Sequence, residues 1–195
     1  GILLLSDWNG QSDFLDPMCG SGTLAIEAAM IACNIPVNIN RKEFAFEKWI
    51  DWEEDLYLKI EESSLNKIRG FEHKIVGFDK APSAVSKAID NVANANLSEF
   101  VEIRQADFFN SKKETEGFLQ LVFNPPYGER LGEDDDLIPL YKAMGDFFKK
   151  DCSGKWGYIF TGNFGLAKKI GLRSSRRIEL YNSTIECRLL EFELY

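Results

Sequence analysis

Asn124-Pro125-Pro126-Tyr127 is the stretch of this sequence whose residue types packing alone explains least. Two consecutive prolines hold φ at about −65° and remove two N–H donors, so the segment presents carbonyl oxygens in a rigid shape. The Asn124 side-chain oxygen beside those carbonyls makes an acceptor cluster suited to a planar NH2 group, and the Tyr127 ring offers a face for stacking. This combination serves chemistry at an aromatic or amide amine. A plain Pro-Pro turn accounts for Pro125 and Pro126, but not for the Asn and Tyr that bracket them at the carboxyl end of a strand, where open α/β sheets bind ligands.

A second constellation, Asp16-Pro17-Met18-Cys19-Gly20-Ser21-Gly22-Thr23, sits where a strand should end and a helix begin. Gly20 and Gly22 let the backbone turn tightly and approach a ligand, while the helix N-terminus offers free N–H groups to an anionic group. Gly20-x-Gly22-x-x-Ala25 also fits the loose dinucleotide fingerprint, so the loop by itself suits a nicotinamide or an adenosyl cofactor. It lacks the Gly-Lys-Ser/Thr ending of a P-loop, which argues against an NTPase. Asp79, closing the run 74–79, can accept hydrogen bonds from both ribose hydroxyls of a nucleoside. Asp107, in Gln105-Ala106-Asp107-Phe108, can accept from an adenine amino group, with Phe108 flanking the ring. Singly, each acid suits a turn; their order after the glycine loop points to a nucleoside.

These residues need a scaffold, and the sequence supplies one. Short β-type runs alternate with helical patterns, which predicts a mostly parallel sheet wrapped by helices. Strands are expected to end at Asp16 and to cover 74–79, 100–104, 118–123 and 156–161. Helices are expected over 23–34, and after Pro82 with Val85, Ala88, Ile89 and Val92 as the apolar stripe. A third helical stripe joins Leu137, Leu140, Tyr141, Met144, Phe147 and Phe148, with Asp136 as its N-cap. Residues 177–181 and 185–195 are separated only by Asn182-Ser183-Thr184, too short for a helical crossover, so they should form an antiparallel hairpin. The expectation is an α/β fold with a seven-stranded, mostly parallel sheet, a C-terminal antiparallel hairpin and helices on both faces. Residues 36–70 read as a helical insertion, its Phe44, Phe46, Trp49 and Trp52 as packing groups and 53–64 as a charged surface helix.

The chain has 195 residues, is 45% hydrophobic and carries a net charge of −8, which suits one folded domain rather than disorder. No apolar run approaches the roughly 18 residues of a membrane span, and the expected location is cytoplasmic. Cys19, Cys33, Cys152 and Cys187 show no C-x-x-C spacing and His73 is the single histidine, so buried free thiols are expected, with no metal site. An acidic domain needs a local basic patch to grip a polynucleotide. Lys168, Lys169, Arg173, Arg176 and Arg177 form such a cluster along the chain, whereas Glu133-Asp134-Asp135-Asp136 reads as a helix-start dipole partner rather than a metal site.

Together, Asp16 to Thr23, Asp79, Asp107 and Asn124-Pro125-Pro126-Tyr127 resemble the class I S-adenosylmethionine-dependent methyltransferases that modify exocyclic amines. More narrowly, Asp-Pro-Met-Cys-Gly-Ser-Gly-Thr with Asn-Pro-Pro-Tyr-Gly-Glu-Arg resembles the bacterial 23S ribosomal RNA guanine-N2 methyltransferases, and the resemblance covers nearly the whole chain. It implies a Rossmann-like domain over 1–195 and S-adenosylmethionine as cofactor, with S-adenosylhomocysteine as product. It also implies ribosomal RNA as partner and an RNA-binding THUMP domain upstream in the same protein. Asp16, Met18, Cys19, Gly20 and Gly22 would then cradle the methionine part, Asp79 the ribose, and Asp107 with Phe108 the adenine, with Asn124 also contacting the cofactor. Asn124, Pro125, Pro126 and Tyr127 would hold the target base, with Tyr127, Arg130, Lys168, Lys169 and Arg173 meeting the RNA. DNA adenine-N6 methylation, protein glutamine methylation and a non-catalytic cofactor-binding module remain alternatives.

Overall fold

Leu121, Val122 and Phe123 are completely buried, with only Gln120 interrupting an apolar run, as befits a strand covered on both faces. The computed structural model describes residues 1–110, 119–127 and 134–195. In chain order these form α1 (Ile2–Leu5), β1 (Asp13–Asp16), α2 (Thr23–Ala32), α3 (Glu54–Leu65), β2 (Ile75–Asp79), α4 (Pro82–Asn94), β3 (Val101–Gln105), β4 (Leu119–Phe123), α5 (Asp134–Asp151), β5 (Lys155–Thr161), α6 (Phe164–Ala167), β6 (Arg176–Asn182) and β7 (Ile185–Leu194). They build one seven-stranded sheet in the order β3-β2-β1-β4-β5-β7-β6. β1 to β5 pair in parallel, and β7 runs antiparallel to both β5 and β6. The expected topology is therefore present.

Alternate residues of each strand supply the two faces. Phe14 and Val122 pack with Leu3, Trp8, Ala28 and Val92 beneath α1, α2 and α4. Leu15, Leu121 and Phe123 pack on the other side with Tyr141, Met144, Phe147 and Phe148 of α5. Each such side chain contributes about 1.5–3 kcal/mol by leaving water. Ala25, Ala28 and Ala29 of α2 are fully buried, so their small side chains let that helix sit close to the sheet. Trp8 adds a tie by donating from Nε1 to the Ala28 carbonyl at 2.9 Å.

Three local expectations are corrected. Ile89 is 49% exposed, so the buried stripe of α4 is Val85, Ala88 and Val92 alone. α5 begins at Asp134, which places Asp136 inside its first turn rather than at an N-cap. The hairpin connection is a two-residue turn, because Asn182 pairs with Ile185 and Ser183 takes the left-handed φ of 56°. The insertion carries the expected surface helix, for no residue of α3 is buried. Phe46 packs on Phe44, Trp52 and Tyr57 at ring separations of 4.9, 5.3 and 6.0 Å, while Trp49 remains 66% exposed. These aromatics form a cluster of their own rather than joining the main core.

Candidate active site

After β1 the chain turns one way to build β2 and β3, then returns past β1 to build β4. The loops after β1 and β4 therefore diverge, which is where an open α/β sheet leaves a crevice. A cleft of about 670 Å³ lies there, in the size range of small-molecule sites. Met18 and Gly20 line it from the loop after β1, and Asp79 and Lys80 from the end of β2. Asp107, Phe108 and Phe109 follow β3, Asn124 and Pro126 follow β4, and Asp136, Leu137, Pro139 and Leu140 come from α5.

The glycine loop is held by its own backbone and by two acids. Gly20 and Gly22 take φ values of 54° and 83°, and a Cβ on Gly22 would stand 3.2 Å from the Ala88 Cβ. Around Gly20 a Cβ would meet nothing within 4 Å, so there the backbone itself faces open space. The Cys19 amide donates to the Phe78 carbonyl at 2.8 Å, joining the loop to β2. Asp79 Oδ2 accepts the Gly20 amide at 3.1 Å, and Asp79 Oδ1 accepts the Ala81 amide at 2.8 Å. Asp107 closes a local turn, accepting from the Phe109 amide at 3.2 Å and from Asn110 Nδ2 at 3.0 Å. Each carboxylate keeps lone pairs for a ligand.

Asp16 is only 1% exposed and accepts the Met18 amide at 3.2 Å. Burial, reinforced by the charge of Asp79, pushes its carboxyl up to about 7. Burial also pushes the Cys19 thiol up to about 12, with Asp16 and Asp79 adding to the effect. Asp16, Cys19 and Gly22 are not among the residues on the wall of the cleft; they shape the loop from behind. Phe108 is 4% exposed and packs edge-on against Phe147 at 5.0 Å, so most of the ring expected beside an adenine belongs to the core. Its neighbour Phe109, half-buried and also on the cleft wall, was missed; the doubled Phe-Phe was the available signal.

The 124–127 elbow divides between two environments. Asn124 and Pro126 are exposed on the cleft, whereas Pro125 is buried. Tyr127 turns away from the cleft toward the hairpin, where its hydroxyl accepts from Asn182 Nδ2 and its carbonyl accepts from Asn163 Nδ2 at 3.2 Å. Tyr141 Oη donates to the Pro126 carbonyl at 3.3 Å. Among the described residues no hydrogen bond reaches Asn124 Oδ1. Tyr141, Thr161, Asn163 and Asn182 were not read as site residues from the sequence, because each reads locally as core, strand end or turn.

The basic cluster is not part of this site. β6 starts at Arg176, level with Tyr158, and its far end at Asn182 is the part that touches Tyr127. Arg176 is committed to Glu191 at 3.3 Å and to the Leu5 carbonyl at 2.7 Å, and Arg177 Nε donates to Ser174 Oγ at 2.8 Å. Lys168, Lys169 and Arg173 are exposed but do not line the cleft. Arg130 lies outside the described residues. Among the described residues no three His, Cys, Asp or Glu side chains are placed to hold a metal ion, and no helix is long and apolar enough to cross a membrane.

Comparison with known proteins accords with this geometry. A protein described as a methyltransferase and crystallised with S-adenosylhomocysteine superposes with a TM-score of 0.90 at 34% identity, covering 98% of this chain and 50% of its own. A Listeria monocytogenes protein described as a predicted N6-adenine-specific DNA methylase gives 0.84 at 27%, covering 98% and 49%. The ribosomal RNA large subunit methyltransferase K/L of Hahella chejuensis is 41% identical over 93% of this chain, which spans only 26% of that longer protein. The profile of the RMKL-like methyltransferase domain matches residues 1–191, and the chain belongs to that family.

Proposed function

We propose that this domain transfers a methyl group from S-adenosylmethionine to the exocyclic N2 of a guanine in large-subunit ribosomal RNA. The observation that carries the reading is that Asn124 and Pro126 face the same cleft as Gly20, Asp79 and Asp107. An amine-gripping edge thereby stands beside a nucleoside-sized cradle. The residues fit the cofactor: the open backbone at Gly20 accommodates its methionine part, Asp79 its ribose and Asp107 its adenine amino group. When bound, S-adenosylmethionine supplies an electrophilic methyl group.

A guanine amino group is a poor nucleophile because its lone pair is delocalised into the ring. Asn124 Oδ1, with no partner among the described residues, accepts one amine hydrogen and helps to localise that pair; the Pro125 carbonyl beneath it is the candidate second acceptor. No strong base is needed before attack, since the nitrogen becomes acidic as it is alkylated. Positioning supplies the main effect, up to roughly 7–11 kcal/mol in the best intramolecular cases. The base must be unpaired or flipped to enter, at a cost of a few kcal/mol. With a net charge of −8 and no basic cluster at the cleft among the described residues, the domain depends on RNA-binding surface elsewhere in a longer protein, and the curated relatives are about four times its length. From ribosomal RNA as the substrate we infer a cytoplasmic location.

The test supplies the whole protein with methyl-labelled cofactor and unmodified ribosomal RNA, DNA and protein, then locates the label by mass spectrometry. Label on guanine N2 of the large-subunit RNA is expected. Label on DNA adenine or on a protein glutamine, or cofactor binding without any transfer, would overturn the assignment. Asn124→Ala should retain cofactor binding and lose most turnover.

A further inference from the structure

A directed chain of hydrogen bonds reaches the elbow through residues that do not line the cleft. The Asn163 amide donates to Thr161 Oγ1 at 3.1 Å, Thr161 Oγ1 and Tyr141 Oη lie 2.7 Å apart, and Tyr141 Oη donates to the Pro126 carbonyl at 3.3 Å. With the Tyr141 proton aimed at Pro126, the Thr161 proton points to Tyr141, and each hydroxyl both gives and receives. Thr161 and Tyr141 are fully buried, where such a chain is stronger than in water. Asn163 acts twice more. Its Oδ1 accepts the Leu166 amide at 2.9 Å, capping α6, and this fixes which way the amide faces. Its Nδ2 is left to donate to the Tyr127 carbonyl at 3.2 Å.

We propose that Asn163 is a positioning residue of the amine site. It locks the elbow by occupying the Tyr127 carbonyl directly and the Pro126 carbonyl through Thr161 and Tyr141. The lock sets the direction of Asn124 Oδ1 and withdraws two neighbouring carbonyls from competition for the incoming NH2. This inference rests on the methyl-transfer reading, and it assigns the β5–α6 junction a part in selecting the amine. An error of about 1 Å in such a site is enough to lower turnover about a hundredfold.

The experiment compares Asn163→Asp with Asn163→Ala in the whole protein. Asn163→Asp keeps the oxygen that caps α6 but turns an acceptor toward the Tyr127 carbonyl; Asn163→Ala removes both functions. At about pH 8, turnover of Asn163→Asp should fall about 10- to 100-fold with cofactor affinity unchanged. Toward about pH 4, near the ordinary aspartate value, the introduced carboxyl gains a proton and becomes a donor, so its turnover relative to the native protein at the same pH should recover. Full turnover in Asn163→Asp together with loss in Asn163→Ala would reduce Asn163 to a helix cap and overturn the inference. Thr161→Val should lose turnover and Thr161→Ser restore it; equal turnover in both would also count against the lock. If the native protein methylates no acceptor, the functional reading fails separately. The chemical shift of the Tyr127 carbonyl carbon then decides the lock: an upfield shift in Asn163→Asp upholds it, and an unchanged shift defeats it.

Discussion

The Asp79 carboxylate holds the Gly20 amide at 3.1 Å, linking residues 59 positions apart in sequence. Its other oxygen holds the Ala81 amide, so one side chain at the end of β2 fixes both the glycine loop and the approach to α4. Hydrogen bonds to a charged group contribute about 1.5–3 kcal/mol. Asp79→Ala should therefore weaken S-adenosylmethionine binding about ten- to a hundredfold in calorimetry, through the loosened loop as well as the lost ribose acceptor. Unchanged affinity would remove Asp79 from the cofactor site.

Gly162 offers an independent handle on the elbow. A Cβ there would stand 3.0 Å from Ile185 Cγ2, 3.2 Å from the Tyr127 ring and 3.3 Å from Cys187 Sγ. These contacts are too tight to be absorbed without movement, and both β7 neighbours belong to a packed hairpin. Gly162→Ala should lower unfolding free energy by about 1–3 kcal/mol and reduce turnover by pushing Tyr127 outward. Denaturant unfolding and single-turnover methylation check the two effects separately, while cofactor affinity should hold.

Much of this architecture was legible in the sequence because its signals are local. The apolar run 119–123, the strand-ending Asp16 and Asp79, and the short gap between 182 and 185 each predict their own element. The cleft was legible too, since the loops after successive parallel strands open at one end of the sheet. What escaped depends on distant contacts. The orientation of Tyr127 is set with Asn182, 55 positions away, and no pattern near Asn124-Pro125-Pro126-Tyr127 announces it. The basic residues from Lys168 to Arg177 cluster in sequence, but none of them lines the cleft: β6 begins at Arg176, only its far end reaches Tyr127, and Arg176 is committed to Glu191. Phe108 and Phe109 show the same limit: both border the cleft and pack on Phe147 of α5, yet Phe108 is almost wholly buried and Phe109 half-buried, a difference no local pattern encodes.

The buried Asp16 carboxyl makes stability depend on pH in a direction opposite to that of a salt-bridged acid. Its folded-state value of about 7 lies above the ordinary 3.8, chiefly because burial penalises the charge. Below about pH 4 the group is protonated in both the folded and unfolded states and costs nothing. Between about pH 4 and 7 the unfolded chain has lost the proton while the folded one keeps it, so stability falls as pH rises, and above about 7 the full cost of roughly 4 kcal/mol is present. Asp16→Asn removes this titration and keeps an oxygen for the Met18 amide. Its extra NH2 adds an offset that does not vary with pH, and all other titrating groups are shared. Urea unfolding of the cofactor-free protein at a series of pH values should therefore show the difference moving toward Asp16→Asn by a few kcal/mol between about pH 4 and 8, then levelling off. A difference independent of pH, or one moving the other way, would mean that Asp16 is ionised throughout and that the loop, not burial, governs its charge.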